Sequence, residues 1–221
     1  PETAEKLCPH TNIMGKRLCA DSGYYETFNL PHVHLVDVKA DPIKEITESG
    51  LRTSEDAFEL DCIVFATGFD AMTGALNRID IRGRDGQSLR EKWSDGPRTY
   101  LGMEVAGFPN LFIVTGPGSP SVLTNMLPSI EQNVNFITDC IAYMRERELR
   151  IIEAQQAAED AWVAHVNAVA DMTLFPDTDS WYCGANIAGK PRVFMALIGF
   201  PDYCARCDEV AANGYEGFAL A

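Results

Sequence analysis

Two adjacent cations are the first residues whose chemistry needs explaining. Gly15-Lys16-Arg17 sits in a chain of net charge −14. A lysine meets a phosphate as a compact point charge, and an arginine holds an anion through forked hydrogen bonds. A solvated loop would carry the same pair, and spacing alone does not choose. Asp61-Cys62-Ile63-Val64-Phe65-Ala66-Thr67-Gly68 is an apolar run that ends on a glycine, where backbone can approach a dinucleotide or bend sharply. Gly116-Pro117-Gly118-Ser119-Pro120-Ser121-Val122-Leu123-Thr124-Asn125-Met126 is a small-residue loop leading into a helix. The unpaired N–H groups and positive dipole end of such a helix suit an anion or an electron-rich ring edge, and equally an ordinary cap. Asp179-Ser180-Trp181-Tyr182-Cys183-Gly184 places a tryptophan in a glycine-rich loop that continues to Lys190. Such a tryptophan is a core anchor or a cofactor cover with an indole N–H to donate.

The elements that must position these residues can be read from periodicity. Val33-His34-Leu35-Val36-Asp37-Val38 alternates and predicts a strand, and residues 43–47 and 50–53 predict a hairpin around Glu48-Ser49-Gly50. Cys62-Ile63-Val64-Phe65-Ala66 and Leu111-Phe112-Ile113-Val114 predict strands buried on both faces, as in a parallel sheet. Residues 70–110 and 174–192 predict loops. Ile130, Val134, Ile137, Ile141 and Met144 predict one face of a long helix. A second helix is expected over about 153–172, with Ala158, Trp162, Val166 and Val169 on one side. A strand over 193–197 and a last helix near 203–213 complete the reading.

This order of elements predicts an α/β fold of the nucleotide-binding kind, whose strands finish sheets begun elsewhere in a longer chain. No GxGxxG occurs in the sequence, so a complete dinucleotide unit is not expected within these residues. The chain also does not begin with Met, and we expect it to continue upstream.

Composition narrows the class. The 221 residues are 46% hydrophobic and 23% charged, ordinary for a globular protein with a sizeable core. The acidic balance argues against nucleic acid or anionic lipid as a general partner. No apolar run reaches 18 residues, so no membrane-spanning segment is expected. Seven cysteines without a framework suggest a reducing compartment, the cytoplasm. Cys204-Ala-Arg-Cys207 has CxxC spacing, but no second pair or histidine accompanies it, so helix packing is expected and no metal site.

The order and wording of the four stretches resemble the flavin-dependent Baeyer–Villiger monooxygenases. The resemblance extends from Gly15 to the C-terminus and includes Asp80-Ile81-Arg82-Gly83, Lys92-Trp93, Gly96-Pro97-Arg98-Thr99-Tyr100-Leu101-Gly102 and Asn213-Gly214-Tyr215-Glu216-Gly217-Phe218. It implies the C-terminal portion of a fold with two Rossmann-like dinucleotide domains, for FAD and NADP, ending in a helical part, with FAD and NADPH as cofactors. It implies insertion of one oxygen atom of O2 into a ketone through a C4a-peroxyflavin, giving an ester or lactone. By the same resemblance Arg17 is the catalytic arginine that also borders the cofactors, and Lys16 contacts the NADP 2′-phosphate. Met126 lies beside the flavin ring, Trp181 contacts NADP, and Ser121, Val122 and Leu123 border the substrate pocket. Residues 1–15 become a linker, 16–66 part of the NADP domain and 67–221 part of the FAD domain. The family's dinucleotide fingerprints and the aspartate that partners its arginine lie upstream, so the N-terminal half of the same polypeptide is an expected partner. Ile198-Gly199-Phe200-Pro201 departs from the family's consecutive glycines, and Pro201 is expected to reshape the entry to the last helix. Another flavin monooxygenase, oxidising an amine or sulfide, and a non-catalytic module remain alternatives.

Overall fold

The structure, a computed structural model, describes every residue except Pro1, Met14, Asn186 and Phe194. The chain forms two compact units, one of residues 1–11 and 17–68, the other of residues 12–16 and 69–221.

The first unit begins with α1 (Glu2–Leu7) and α2 (Tyr24–Thr27), where the Asp21 carboxylate accepts from the Tyr24 N–H at 2.7 Å. Its sheet is antiparallel, in the order β1 (Ile43–Thr47), β2 (Gly50–Thr53), β3 (Ala57–Glu59). The expected hairpin forms with Thr47 opposite Gly50. Gly50 is required there, because a Cβ would overlap the Phe58 carbonyl of β3. Two expected strands do not form. Residues 33–38 are irregular, and Cys62-Ile63-Val64-Phe65-Ala66 pairs with no strand; Val64 is 83% exposed and Phe65 68%. A buried strand is completed by its neighbours, and among the described residues this run has none to hold its N–H and C=O groups.

The second unit continues with α3 (Leu89–Lys92), α4 (Met126–Glu146), β4 (Ile152–Ala154), α5 (Gln156–Asp171), α6 (Phe200–Ala212) and β5 (Phe218–Leu220). Ser88 and Glu91 close a reciprocal capping box on α3. The Asn125 side chain caps α4 by accepting from the Leu127 N–H at 3.1 Å, and Pro128 falls in the first turn, where no donor is lost. The face that α4 buries differs from the expected one. Ser129, Asn133, Phe136, Cys140 and Met144 are inside, whereas Val134 and Ile141 are 44% and 38% exposed. Apolar type alone selects the wrong stripe, because Ser129 and Asn133 are polar but hydrogen-bonded and can therefore be buried. α5 buries Glu159, Trp162, Val166 and Ala170, and α6 buries Tyr203, Cys207 and Val210. Pro201 falls in the first turn of α6, which starts cleanly after Gly199.

These three helices, the Tyr100–Met103 turn region and the antiparallel β4–β5 pair enclose the main core. A smaller core gathers Leu89, Trp93, Val105, Phe108 and Ile113, so residues 70–110, expected as loop, are in part packed. The expected strand over 111–114 makes one ladder-like bond, Ile113 N–H to Met103 C=O at 2.8 Å, and joins no sheet. The expected strand over 193–197 is likewise irregular where described; Phe194 lies outside the described residues. No parallel pair forms among the described residues, for the reason given for residues 62–66.

Candidate functional site

The loop over 115–121 is held at nearly every carbonyl and turn. Thr115 N–H donates to the Asn133 side chain at 2.7 Å, and Gly116 N–H donates to Gly102 C=O at 3.1 Å. The Thr99 hydroxyl donates to Pro117 C=O at 2.6 Å, and the Trp162 indole N–H to Gly118 C=O at 3.0 Å. Ala196 N–H donates to Ser119 C=O at 2.9 Å. Gly116 is obligatory, since a Cβ would lie 2.6 Å from the Gly102 carbonyl oxygen. The loop ends in a 3-10 turn, Ser121–Leu123, and feeds α4. The Met126 N–H, first in that helix, has no partner among the described residues, and no acidic side chain stands in the first turn. An unpaired amide at a positive helix end fits the electron-rich edge of a flavin ring.

The Trp181 loop is built separately. The Ser180 hydroxyl accepts from Tyr182 N–H at 3.1 Å and caps the 3-10 turn Trp181–Cys183. Arg192 donates to Pro176 C=O at 3.2 Å and Thr178 C=O at 3.1 Å, and pairs with Asp179. Lys190 pairs with Asp70 and donates to Ala71 C=O at 2.6 Å. Asn186, within this stretch, lies outside the described residues.

The two loops meet. Tyr182, Cys183 and Met195 form a buried cluster, and Met72, Val122, Leu123, Phe175 and Trp181 pack against it. The Ser121 hydroxyl points at the Met72 sulfur, 3.9 Å away. Gly15 is buried against the same loop, since a Cβ there would overlap the Thr178 side chain. A cleft of about 260 Å³ also opens beside Pro117 and Gly118, lined by Arg98, Thr99, Trp162 and Arg192 among others. None of the sequence-predicted site residues lines it.

Burial sets the electrostatics. The Cys183 thiol is pushed up by burial, with Arg192 pulling it partly back. Cys207 is pushed up to about 12 by burial in the main core, and burial also raises Cys204. A protonated thiol is a poor nucleophile and a poor metal ligand, so the CxxC of α6 acts as packing. No group of three or more His, Cys, Asp or Glu among the described residues could hold a metal. No helix of the described residues is long and apolar enough to cross a membrane.

No protein-family model matches the chain. Individual proteins match it end to end. Cyclohexanone 1,2-monooxygenase of an Acinetobacter species is 44% identical over 222 residues, and cyclopentanone 1,2-monooxygenase of a Comamonas species 43% identical over 225. Phenazine N-monooxygenase of Lysobacter antibioticus is 46% identical over 223 residues. The closed crystal structure of cyclohexanone monooxygenase superposes with a TM-score of 0.93 at 46% identity, covering all of this chain. The chain belongs to the Baeyer–Villiger monooxygenase family. It spans about 40% of the length of the curated relatives just named. Another family structure, oxidised steroid monooxygenase bound to NADP, matches with a TM-score of 0.91 at 46% identity and covers 42% of that chain.

Of the residues that the family resemblance singled out, Val122, Leu123 and Trp181 pack against the cluster of Tyr182, Cys183 and Met195, and Ser121 meets Met72, which packs against the same cluster. Met126 follows them by one short turn at the start of α4. Lys16 lies in the second unit and is exposed; Arg17 lies in the first and is exposed. The Monooxygenase-like sequence motifs did not reveal Met72, Lys190, Arg192 or Asn133 as organisers of these loops. Lys190 could have been suspected from its place at the end of the Trp181 stretch; Met72 and Asn133 carry no local signal.

Proposed function

We propose that this chain is part of a monooxygenase that uses FAD and NADPH to insert one oxygen atom of O2 into a ketone, giving an ester or lactone. When bound, the nicotinamide supplies hydride and the flavin supplies the reaction with oxygen. The chain's own residues bind, orient and stabilise. Arg17 holds a permanent positive charge for an anion that develops during the reaction. Lys16 offers a point charge to the 2′-phosphate of NADP, and Trp181 covers that cofactor. The Met126 N–H donates to the flavin edge, and Ser121, Val122 and Leu123 border the ketone. On this reading residues 16–66 belong to the NADP-binding domain and 67–221 to the FAD-binding domain. The N-terminal half of the same polypeptide supplies the pyrophosphate-binding glycines, and the protein works in the cytoplasm.

The observation that carries this reading is the convergence of Val122, Leu123 and Trp181 on one cluster, to which Ser121 is linked through Met72, with the Met126 N–H, unpaired among the described residues, at the end of the same loop. Relatives named for cyclohexanone and cyclopentanone oxidation support a ketone as substrate. The test is to incubate the full-length protein with NADPH and a panel of cyclic and linear ketones under ¹⁸O-labelled oxygen. Esters or lactones carrying one labelled atom are expected; NADPH oxidation without any such product rejects ketone oxygenation. A second reading, oxygenation of a ring nitrogen, draws on the 46% identity to phenazine N-monooxygenase. A labelled N-oxide from phenazine in the absence of labelled esters would favour it.

A further inference from the structure

Two strained turns lie side by side at the root of the 115–121 loop. Thr115 has φ +52° and Leu101 φ +55°, a left-handed conformation that L residues rarely adopt and β-branched residues least of all. The turns are joined directly, since Gly116 N–H donates to Gly102 C=O and Ile113 N–H to Met103 C=O. Residues in such conformations persist only where their surroundings over-determine them, and they concentrate at functional sites.

A buried chain of three hydrogen bonds runs from one strained residue to the other. Thr115 N–H donates to Asn133 Oδ1 at 2.7 Å. Asn133 Nδ2 donates to the Tyr203 hydroxyl oxygen at 3.1 Å, and the Tyr203 hydroxyl donates to Leu101 C=O at 2.7 Å. Asn133 is 1% exposed and Tyr203 0%. Both ends of this chain have fixed polarity: an amide N–H can only donate and a carbonyl can only accept. Asn133 must therefore present oxygen to Thr115 and nitrogen to Tyr203, and Tyr203 must present its proton to Leu101. Asn133 Nδ2 also donates to Gln132 Oε1 at 2.7 Å, so the link whose loss strands a buried group is the Tyr203 hydroxyl, on which Leu101 C=O depends. Only three elements take part: the loop root, α4 through Asn133, and α6 through Tyr203.

We propose that Asn133 and Tyr203 are positioning residues that fix the 115–121 loop against α4, and so set the placement of Ser121, Val122 and Leu123 relative to the Met126 N–H. Neither side chain touches substrate; they act through the loop. The assignment of those four residues to a ketone and flavin site rests on the monooxygenase reading above. Tyr203→Phe removes only the hydroxyl and keeps the ring packed among Trp162 and Cys207. It frees Leu101 C=O and removes one of the two acceptors of Asn133 Nδ2, which keeps Gln132 Oε1 at 2.7 Å. Asn133→Leu removes the loop bond itself. Val210→Ala, in the same helix and fully buried but outside the chain of bonds, controls for a general loss of stability.

The experiment compares these three variants in the full-length protein. It measures amide hydrogen exchange at Thr115, visible-region circular dichroism of bound flavin, and the split between KM and kcat for a ketone. Asn133→Leu and Tyr203→Phe are expected to speed Thr115 exchange at least about 10-fold, to alter the flavin signal and to raise the ketone KM more than they lower kcat. Val210→Ala is expected to lower the thermal midpoint and leave all three readouts in place. If Tyr203→Phe matches Val210→Ala in Thr115 exchange and KM, the positioning role is overturned. If the wild-type protein oxidises no ketone and holds no flavin, the monooxygenase reading falls on its own. The Thr115 exchange then still decides whether the relay holds the loop.

Discussion

Glu104 should make the stability of this protein fall as pH rises. Its side chain is fully buried, and among the described residues neither carboxylate oxygen has a partner within hydrogen-bond geometry. Burial pushes its pKa from 4.5 up to about 8; the Ala154 amide pulls it partly back and the Glu153 carboxylate adds to the rise. Glu153 itself is satisfied by Arg84 at 2.6 Å and by the Gly107 N–H at 3.0 Å. In the unfolded chain Glu104 loses its proton near 4.5, whereas in the folded protein it keeps it until about 8. The folded state therefore binds more protons in that window, and the stabilisation is complete below pH 4.5 and lost as pH climbs through 8. A displacement of this size corresponds to about 5 kcal/mol at most, a large share of a typical folding free energy. Glu104→Gln removes the titration, and Glu104→Met also removes the two orphaned oxygens, so the Met variant should be the more stable of the two above pH 8. The assay is urea denaturation followed by tryptophan fluorescence from pH 5 to pH 9, with buried Trp93 and Trp162 as reporters. The wild-type minus Glu104→Gln difference should change by a few kcal/mol across that range, within that bound. Parallel curves for the two proteins would refute the reasoning.

Arg17→Ala is expected to lower ketone turnover by about 10² to 10³, the usual cost of removing one donor to a developing anion; steady-state product formation measures it. Lys16→Ala should raise the KM for NADPH with little change in kcat and narrow the preference over NADH, because a phosphate is present before and during the reaction alike. Glu159→Gln should lower stability by about 3 to 5 kcal/mol, read as a fall in the thermal midpoint. That fully buried carboxylate accepts from Ala106 N–H at 2.8 Å and Gln156 Nε2 at 3.1 Å and pairs with Lys92 at 3.2 Å and Arg98 at 3.5 Å; neutralising it leaves the mostly buried Lys92 without a carboxylate, while Arg98 keeps Asp160.

The contrast between Glu104 and Glu159 shows where sequence reasoning ends. Both are glutamates, and both are fully buried. Glu159 has four partners, Ala106 N–H, Gln156, Lys92 and Arg98, and Glu104 has no hydrogen-bond partner for its carboxylate among the described residues. Helices α4, α5 and α6 were legible because a 3.6-residue period is written into the helix's own residues. The β1–β2 hairpin was legible because its turn residues are local. The runs at 62–66 and 111–114 were not, because a buried strand is defined as much by its neighbours as by its own side chains. Ser121, Val122, Leu123 and Trp181 entered through family resemblance, and spacing alone would have left them a cap and a core anchor.

The backbone explains why those residues converge. Among the described residues eight non-glycines have positive φ, and four of them, Met72, Leu101, Thr115 and Ser121, lie along the loops of the proposed site or at their roots. Asp85 and Asn110 are the residue types that tolerate this conformation; leucine, threonine and methionine are not. Strain of this kind costs about 1 to 3 kcal/mol for each residue and survives only under external restraint. The Asn133–Tyr203 chain holds Leu101 and Thr115, Met72 packs against the buried cluster, and Ser121 is linked to it through Met72. A loop fixed in this way presents Val122 and Leu123 on a rigid support. Substrate selection at the proposed site should then follow the size of those two side chains, and enlarging Val122 to Phe should exclude bulky ketones while small ones still react. Equal loss across ketones of all sizes after Val122→Phe would mean that the substitution had displaced the loop, and would count against its rigidity.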